Sequence, residues 1–418
     1  MKIIDYLFLY SLMVIWLLLV TNIVLTYFGY LFSTEVKSRR MNILTDMDEF
    51  PRVSILIPAH NEEKVIAETV KSMLSLDYPN DKYEIFVIND GSSDRTAEIV
   101  GGFQNNGMDE RLKLIDIPQE EGKKGKSSAL NYGFRHTKGE YIVVYDADNT
   151  PNRLALRYLC NEINTHENYG AVIGKFKTRN KKRNILTRFI NIETLSFQWM
   201  AQAGRWKLMR LCTIPGTNFI VRRSLLEEIG GWDIDAIAED TELSFRIYQK
   251  GYEIASMPLA ETFEQEPEHL LVWFRQRTRW VNGNIYVLSK HLKTFFKGGD
   301  RKILFDLYYY FSIYFLFLSS ILLSDAIYLI GIFTEYKVGI AGNLNGIWVL
   351  TYLVFVFQIL IALSIEKDEI TFTNFLLILL MYFTYCQLWI FVSLNGLFKN
   401  ISNLIFKKKS KWYKTVRF

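Results

Sequence analysis

The sequence predicts an α/β domain built on a parallel sheet and flanked by transmembrane helices. Three observations carry this. Apolar residues crowd positions 3–32 and 303–398 of the 418-residue chain. Between them, β-branched runs alternate with helix-spaced apolar positions from Arg52 onward. Polar clusters then recur at the carboxyl ends of the β-branched runs.

Ile3 to Phe32 is apolar, broken mainly by Asp5. It exceeds the roughly 20 residues that a membrane-spanning helix needs. A secretory signal would have a shorter apolar core and a small-residue cleavage site. Residues 1–34 are therefore expected to be a retained transmembrane helix. The basic residues of Glu35-Val-Lys-Ser-Arg-Arg40 favour the cytoplasmic side. The expected protein is thus a multi-pass cell-membrane protein with a cytoplasmic central domain.

In that domain RVSILIP (52–58) reads as a buried strand ended by proline. Val65, Ile66, Val70, Met73 and Leu74 follow at helical spacing. EIFVIND (84–90) is a second strand, and SSDRTAEIVGGF opens a helix capped by Ser93 or Asp94. KLIDIP and YIVVYDAD are further strands. Such alternation, with continuously apolar strands, implies a parallel sheet covered on both faces.

Three more apolar segments follow: Ile303–Phe333, Ile347–Ile365 and Phe375–Phe398. Asp306 and Asp325 are expected near span ends, where they reach water, because carboxylates are costly inside a membrane. Three crossings would leave the basic tail, residues 399–418, outside, against the positive-inside tendency. Phe375–Phe398 contains Thr384, Gln387, Ser393 and Asn395, so it is the segment expected to be interfacial or re-entrant. The net charge of +5 is concentrated in places such as KKKSKWYKTVRF. That tail suits lipid headgroups. No nucleic-acid-binding module accompanies it. Three widely spaced cysteines imply neither a disulfide framework nor a zinc site.

Ligands of open α/β sheets bind beyond the carboxyl ends of the strands. Pro58-Ala59-His60-Asn61-Glu62, Asn89-Asp90-Gly91-Ser92 and Asp146-Ala147-Asp148 fall there. Asp90 alone reads equally well as a turn residue; three clusters on one rim indicate a shared site. Asp146 and Asp148, two apart, point the same way on an extended chain. Such a pair suits a hard divalent cation that also binds phosphates. GKKGKSSALN (122–131) adds glycines for close approach and Lys126 as a point charge.

PAHNE, INDGSSD, GKSSALN, DAD, AED and QRTRW, in this order, resemble the processive membrane-bound family 2 glycosyltransferases. These are the synthases of cellulose, hyaluronan, chitin and bacterial poly-N-acetylglucosamine. The resemblance covers roughly residues 50–300, and the flanking spans fit it. It implies a glycosyltransferase A (Rossmann-like) domain over residues 50–280 and inverting transfer from a UDP-sugar with Mg²⁺ or Mn²⁺. It places Ala59, Asn61, Glu62, Asp90, Lys126, Asp146, Gln276 and Arg279 at the donor, and Asp146 and Asp148 at the metal. Arginine's planar fork suits diphosphate oxygens, and it would stabilise charge as the UDP leaves. Read alone, Arg275, Arg277 and Arg279 could equally form a basic face beside the bilayer, with Trp280 as interfacial anchor.

The resemblance makes Asp240 of AED, where TED is common, the general base. Glu239-Asp240 also suits a helix N-terminus, which would lower the Asp240 pKa. Gly216, Thr217 and Trp280 would meet the acceptor, with Gly230-Gly231-Trp232-Asp233 as a turn before the base. Trp412, Thr415 and Arg417 resemble the tail segment that covers the donor site in hyaluronan and chitin synthases. Val281, Ile285, Leu288, Leu292 and Phe295 form a stripe, so residues 281–300 read as an amphipathic helix on the membrane face.

The function implied is processive extension and export of a β-linked polysaccharide of glucose or N-acetylglucosamine. The growing polysaccharide is the acceptor, membrane lipid a partner, and an accessory membrane or regulatory subunit would carry any second-messenger control. The layout favours a biofilm-type exopolysaccharide. The alternative is transfer of one sugar to a lipid. A binding protein that has lost its chemistry is disfavoured by retention of Asp90, Asp146, Asp148, Asp240 and QRTRW.

Overall fold

The computed structural model describes residues 2–45, 49–105, 110–118, 120–122, 125–296, 301–334 and 344–406. Helix α1 (Ile3–Thr45) leads into β1 (Val53–Ala59), α2 (Ile66–Leu74), β2 (Tyr83–Asn89), α3 (Thr96–Asn105), β3 (Leu112–Asp116), α4 (Lys126–Phe134) and β4 (Tyr141–Val144). Next come β5 (Thr150–Pro151), α5 (Ala155–Asn164), β6 (Tyr169–Thr178), α6 (Ile185–Phe197), a π-helix (Gln198–Gly204) and α7 (Arg205–Met209). The domain closes with β7 (Phe219–Arg222), α8 (Arg223–Glu228), α9 (Glu239–Gln249), β8 (Glu253–Glu264) and α10 (Leu270–Phe296). Then follow α11 (Arg301–Phe311), a second π-helix (Ser312–Phe317), α12 (Leu318–Phe333), α13 (Leu344–Ser364), α14 (Phe372–Met381) and α15 (Tyr385–Phe406).

The strand order is β3-β2-β1-β4-β7-β6-β8-β5. The first four strands are parallel, as their continuous apolar runs predict. The whole sheet is mixed, however, because β7 runs antiparallel to both β4 and β6, and β5 antiparallel to β8. A parallel neighbour needs a crossover to the far end of the sheet. After β6 the chain instead stays at the carboxyl end through α6, the π-helix and α7, and re-enters from that end. β1 also runs through Pro58 to Ala59. Its pairing with β4 stops at Leu56, and proline is tolerated where a ladder ends.

Among the described residues, three helices are long and apolar enough to cross a membrane: Ile3–Arg39, Arg301–Phe333 and Gly346–Ser364. The α14–α15 pair is bent by 46° at its break and makes a fourth only if counted as one span. α1 is longer than the apolar run predicts, since its polar end is used by the domain. Val36 is buried, Glu35 pairs with Lys207, and Lys37 donates to the Ile365 carbonyl at 2.8 Å. α1 also touches the first π-helix backbone to backbone. A Cβ on Gly29 would lie 2.0 Å from the Trp199 carbonyl oxygen, and one on Gly204 2.2 Å from that of Leu25.

Asp306 does not reach water. It is 1 % exposed and paired with Arg205, itself 1 % exposed and lying over the Tyr309 ring. The pairing is what makes a buried carboxylate tolerable, since an unpaired buried charge is strongly destabilising. Residues 281–296 are not a separate surface helix either; residues 297–300 lie outside the described residues. Residues 281–296 continue α10, which starts at Leu270, and Val281, Ile285 and Leu288 are buried within the protein while Leu292 is exposed. Nearby, α15 packs along α10: a Cβ on Gly396 would meet Val281 Cγ1 at 2.5 Å, and Asn395 donates to Thr278 Oγ1 at 3.2 Å.

Candidate active site

A cavity of about 510 Å³ opens at the carboxyl ends of the parallel strands. Ala59, Glu62, Asp90, Lys126, Asp146, Asp148, Gly216, Thr217, Asp240, Gln276, Arg279 and Trp280 all line it. Asn61 is not among the lining residues. It sits at φ +55°, and its Oδ1 accepts the Ser93 N–H at 2.6 Å, so it stitches the β1 and β2 end loops together. Trp412, Thr415 and Arg417 lie outside the described residues.

Asp146 and Asp148 lie just past β4 in a turn closed by the Asn149 N–H on the Asp146 carbonyl, 3.0 Å. Thr217 Oγ1 accepts the Asp146 N–H at 3.0 Å, so this side chain braces the carboxylate loop. Asp148 is 2 % exposed and its Oδ2 accepts the Gln265 N–H at 2.9 Å. Among the described residues no cluster of three or more metal-binding side chains occurs. Two hard carboxylates completed by substrate phosphate oxygens are nevertheless the donor set that Mg²⁺ or Mn²⁺ accepts.

Lys126 opens α4. Its Nζ lies 2.6 Å from Asp146 and 3.4 Å from Glu239, and donates to the Gly216 carbonyl at 2.7 Å. Burial works against its charge, but Asp146, Glu239 and Asp240 outweigh that and hold its pKa above the ordinary lysine value. The ammonium is therefore permanent at neutral pH.

Asp240 is the second residue of α9, and its Oδ1 accepts the Thr241 N–H at 2.7 Å. The helix N-terminus predicts a lowered pKa; the opposite holds. Burial and the neighbouring Glu239 push it up to about 7, against the lowering effects of Lys126, the Thr241 N–H and Arg279. Such a carboxyl is suited to general-base work at neutral pH. A group with a raised pKa is protonated, and useless as a base, below that value. In the free enzyme kcat/KM is thus expected to fall about tenfold per unit as pH drops below about 7, read from a rate–pH profile. Ala238, the residue that departs from TED, packs against α10, where a Cβ on Gly283 would lie 2.8 Å from its Cβ.

Gly216 has φ +90°, and a Cβ there would lie 2.8 Å from Asp240 Oδ2 and 3.6 Å from Lys126 Nζ. Gly216→Ala therefore strains the backbone and displaces the carboxylate. A misplacement near 1 Å can cost about 10²-fold in rate, so kcat should drop by that order with expression retained, as initial rates would show.

The RQRTRW segment occupies the first turns of α10. Arg275 is exposed; Arg277 is 1 % exposed, so a solvated basic face describes the first and not the second. Arg277 Nη2 pairs with Glu193 at 3.0 Å, Nη1 donates to Gln276 Oε1 at 2.9 Å, and the guanidinium lies 3.9 Å from the Trp280 ring centroid. From Trp280 the cavity continues between the membrane helices, past Tyr309, Tyr310 and Tyr314 on one side and Trp389 and Ser393 of α15 on the other. Sequence reasoning misses Glu193, reads Glu239 only as a helix-terminal residue and assigns His60 no part of its own. His60 at least was legible within PAHNE; its Nδ1 lies 2.7 Å from the Asp90 carbonyl oxygen.

The family model for glycosyl transferase family 2 matches residues 54–230. A probable glycosyltransferase of Bacillus subtilis (strain 168), YdaM, is 47% identical over 416 residues, 99% of this chain and 98% of its own. A poly-beta-1,6-N-acetyl-D-glucosamine synthase of Staphylococcus epidermidis is 30% identical over 379 residues, 91% of this chain and 83% of its own. Among solved structures, the mannosyltransferase PcManGT from Pyrobaculum calidifontis, in complex with GDP-Man and Mn²⁺, aligns at TM-score 0.58 and 21% identity over 92% of this chain and 99% of that one. That likeness is one of fold. With the acidic strand-end clusters, the half-buried Asp240 of AED and the QRTRW helix gathered on one cavity, the chain belongs to glycosyltransferase family 2 and is a glycosyltransferase of the A fold.

Proposed function

We propose that this glycosyltransferase is processive and inverting, polymerising a UDP-sugar into a β-linked polysaccharide that leaves through its own membrane helices. The observation that carries the reading is the single cavity running from Asp90 and Asp146 past Asp240 and Trp280 to Tyr314 and Trp389. A cavity that continues beyond the base between aromatic side chains suits an acceptor made of several sugars better than a single-sugar transfer.

In this reading Asp240 takes the proton of the acceptor hydroxyl as that oxygen attacks the anomeric carbon. The bond to UDP breaks on the opposite face, so an α-linked donor gives a β-linked product. Ala59, Glu62 and Asp90 hold the nucleotide end of the donor. Lys126, Gln276 and Arg279 face the departing diphosphate, where fixed donors act most strongly on developing charge. Asp146 and Asp148 would hold Mg²⁺ or Mn²⁺, which would neutralise diphosphate charge. Gly216 and Thr217 stand beside the acceptor terminus, and Trp280 offers it an aromatic face. The poly-beta-1,6-N-acetyl-D-glucosamine synthase among the relatives favours N-acetylglucosamine over glucose. An accessory membrane or regulatory subunit would supply any second-messenger control.

The packing of α14 and α15 supports a cytoplasmic tail. Glu369, just before α14, pairs with Lys181 and accepts from Asn191 of the catalytic domain. At the other end Asn400 bonds Asn282 of α10. Both ends of the pair thus face the catalytic domain, which supports a chain that continues after α15 on that side, in keeping with the positive-inside tendency. Trp412, Thr415 and Arg417 can then close over the donor. Deleting residues 411–418 should abolish turnover while leaving membrane insertion intact; full activity in the truncated protein refutes this role.

The test is incorporation from labelled UDP-N-acetylglucosamine and UDP-glucose by membranes carrying the protein, with the product sized and with a chelator control. A high-mass product from one donor, lost on chelation, is expected. A product carrying one sugar on a lipid would replace the proposal with lipid glycosylation.

A further inference from the structure

Glu193 of α6 sits where the catalytic domain meets α15, with its side chain 22% exposed on the cavity wall. Its carboxylate accepts from three directions. Arg277 Nη2 donates to Oε2 at 3.0 Å, Tyr385 Oη to Oε2 at 2.8 Å, and Trp389 Nε1 to Oε1 at 2.7 Å. The Tyr385 hydroxyl in turn accepts from Trp273 Nε1 at 2.9 Å, and the Tyr385 ring stacks on Phe189 at 5.3 Å. One side chain therefore ties α6 to the QRTRW helix and to the start of α15, immediately after the 46° bend.

The two sides of this junction carry the cavity's aromatic faces. Arg277 lies against the Trp280 ring and bonds Gln276, so the carboxylate sets Trp280 through Arg277. Trp389 is held directly by its indole N–H. Both tryptophans line the cavity. A charged, bidentate acceptor of this kind is geometrically exacting, because charge-assisted bonds are shorter and stronger than neutral ones.

We propose that Glu193 is a positioning residue that fixes the spacing of Trp280 and Trp389, and so sets how firmly the enzyme retains the acceptor chain between additions. This rests on the processive reading above. The carboxylate holds Trp389 directly and reaches the donor residue Gln276 one step removed, through Arg277, so it should govern acceptor retention more than donor affinity. Without it, buried Arg277 keeps Glu266, 3.9 Å away, as its carboxylate partner among the described residues.

The experiment uses the full chain in lipid nanodiscs with labelled UDP-N-acetylglucosamine, comparing wild type with Glu193→Gln, Tyr385→Phe and Trp389→Phe. Donor KM, kcat and product length are measured for each. For Glu193→Gln, donor KM should stay within about twofold while mean product length falls several-fold, the split that separates positioning from donor binding. Tyr385→Phe should shorten the product less, and add little in the Glu193→Gln background, because coupled residues are non-additive. If Glu193→Gln fails to fold, Tyr385→Phe and Trp389→Phe decide alone by the same two readouts. Wild-type product length in the variants overturns the proposal, as does an altered donor KM with unchanged length. If the wild type itself adds one sugar, the processive reading fails separately. The inference is then read from acceptor KM, which must rise in Glu193→Gln; an unchanged value overturns it.

Discussion

Asp240→Asn is expected to lower sugar transfer by about 10²–10⁴-fold, the usual contribution of a general base. Asparagine keeps the size of the side chain and can still accept the Thr241 N–H through its amide oxygen. What it loses is a basic oxygen beside Gly216. Because the proton moves only in the transition state, kcat and kcat/KM should fall together. Nucleotide affinity, measured by UDP binding, should not weaken, since the change removes a negative charge beside an anionic donor. The same variant should lose the acid limb near pH 7 from whatever rate remains, because burial and Glu239 raise the pKa of the carboxyl it removes. Near wild-type rates would move the base elsewhere in the cavity, with Glu239 the next carboxylate at hand.

Gly29→Leu is expected to cause the largest loss of folded protein. A Cβ at this position would sit 2.0 Å from the Trp199 carbonyl oxygen, closer than any real side chain approaches a backbone atom. Small residues let membrane helices approach backbone to backbone, and here the same device joins α1 to a π-helix of the catalytic domain. Leucine must push the two apart. Overpacking of this kind costs about 1–3 kcal/mol, occasionally more. It would also disturb Gly204, whose own missing Cβ faces Leu25 one turn away. Folded yield in membranes and the thermal midpoint of purified protein should both drop. Gly101→Ala serves as the control, because nothing lies within 4 Å of the added carbon. Its helix should keep or gain stability, as Gly→Ala does at compatible positions.

The parts of this molecule legible in the sequence are those written in local patterns. The parallel strands show as continuous apolar runs, and the acidic clusters fall at their ends because the chain turns there. Lys126, Asp146, Asp240, Gln276 and Arg279 converge as their motifs imply. What local pattern cannot carry is pairing across the chain. Asp306 reads as a carboxylate at a span end because its partner, Arg205, is 101 residues away. Glu193 reads as an ordinary helical glutamate, since its three donors lie in α10 and α15. The stripe of residues 281–300 has the spacing of a membrane-surface helix, yet Val281, Ile285 and Leu288 are covered by protein and only Leu292 of its described side chains is exposed; periodicity reports that a face is apolar, never what covers it. The Asp240 pKa is illegible in local pattern for a related reason. Its helix terminus is visible in the sequence, but the burial and the close approach of Glu239 that dominate it belong to the tertiary structure.

The measurement that tests the central claim most directly uses sealed inside-out vesicles carrying the wild-type protein. Labelled UDP-N-acetylglucosamine is supplied outside, where a cytoplasmic catalytic domain would face, and the product is sized before and after a glycosidase is added to the medium. A cavity that leads from Asp240 between the membrane helices predicts a long polymer protected inside the vesicle until detergent is added. A polymer digested without detergent, or a product no larger than a lipid bearing one sugar, would contradict it.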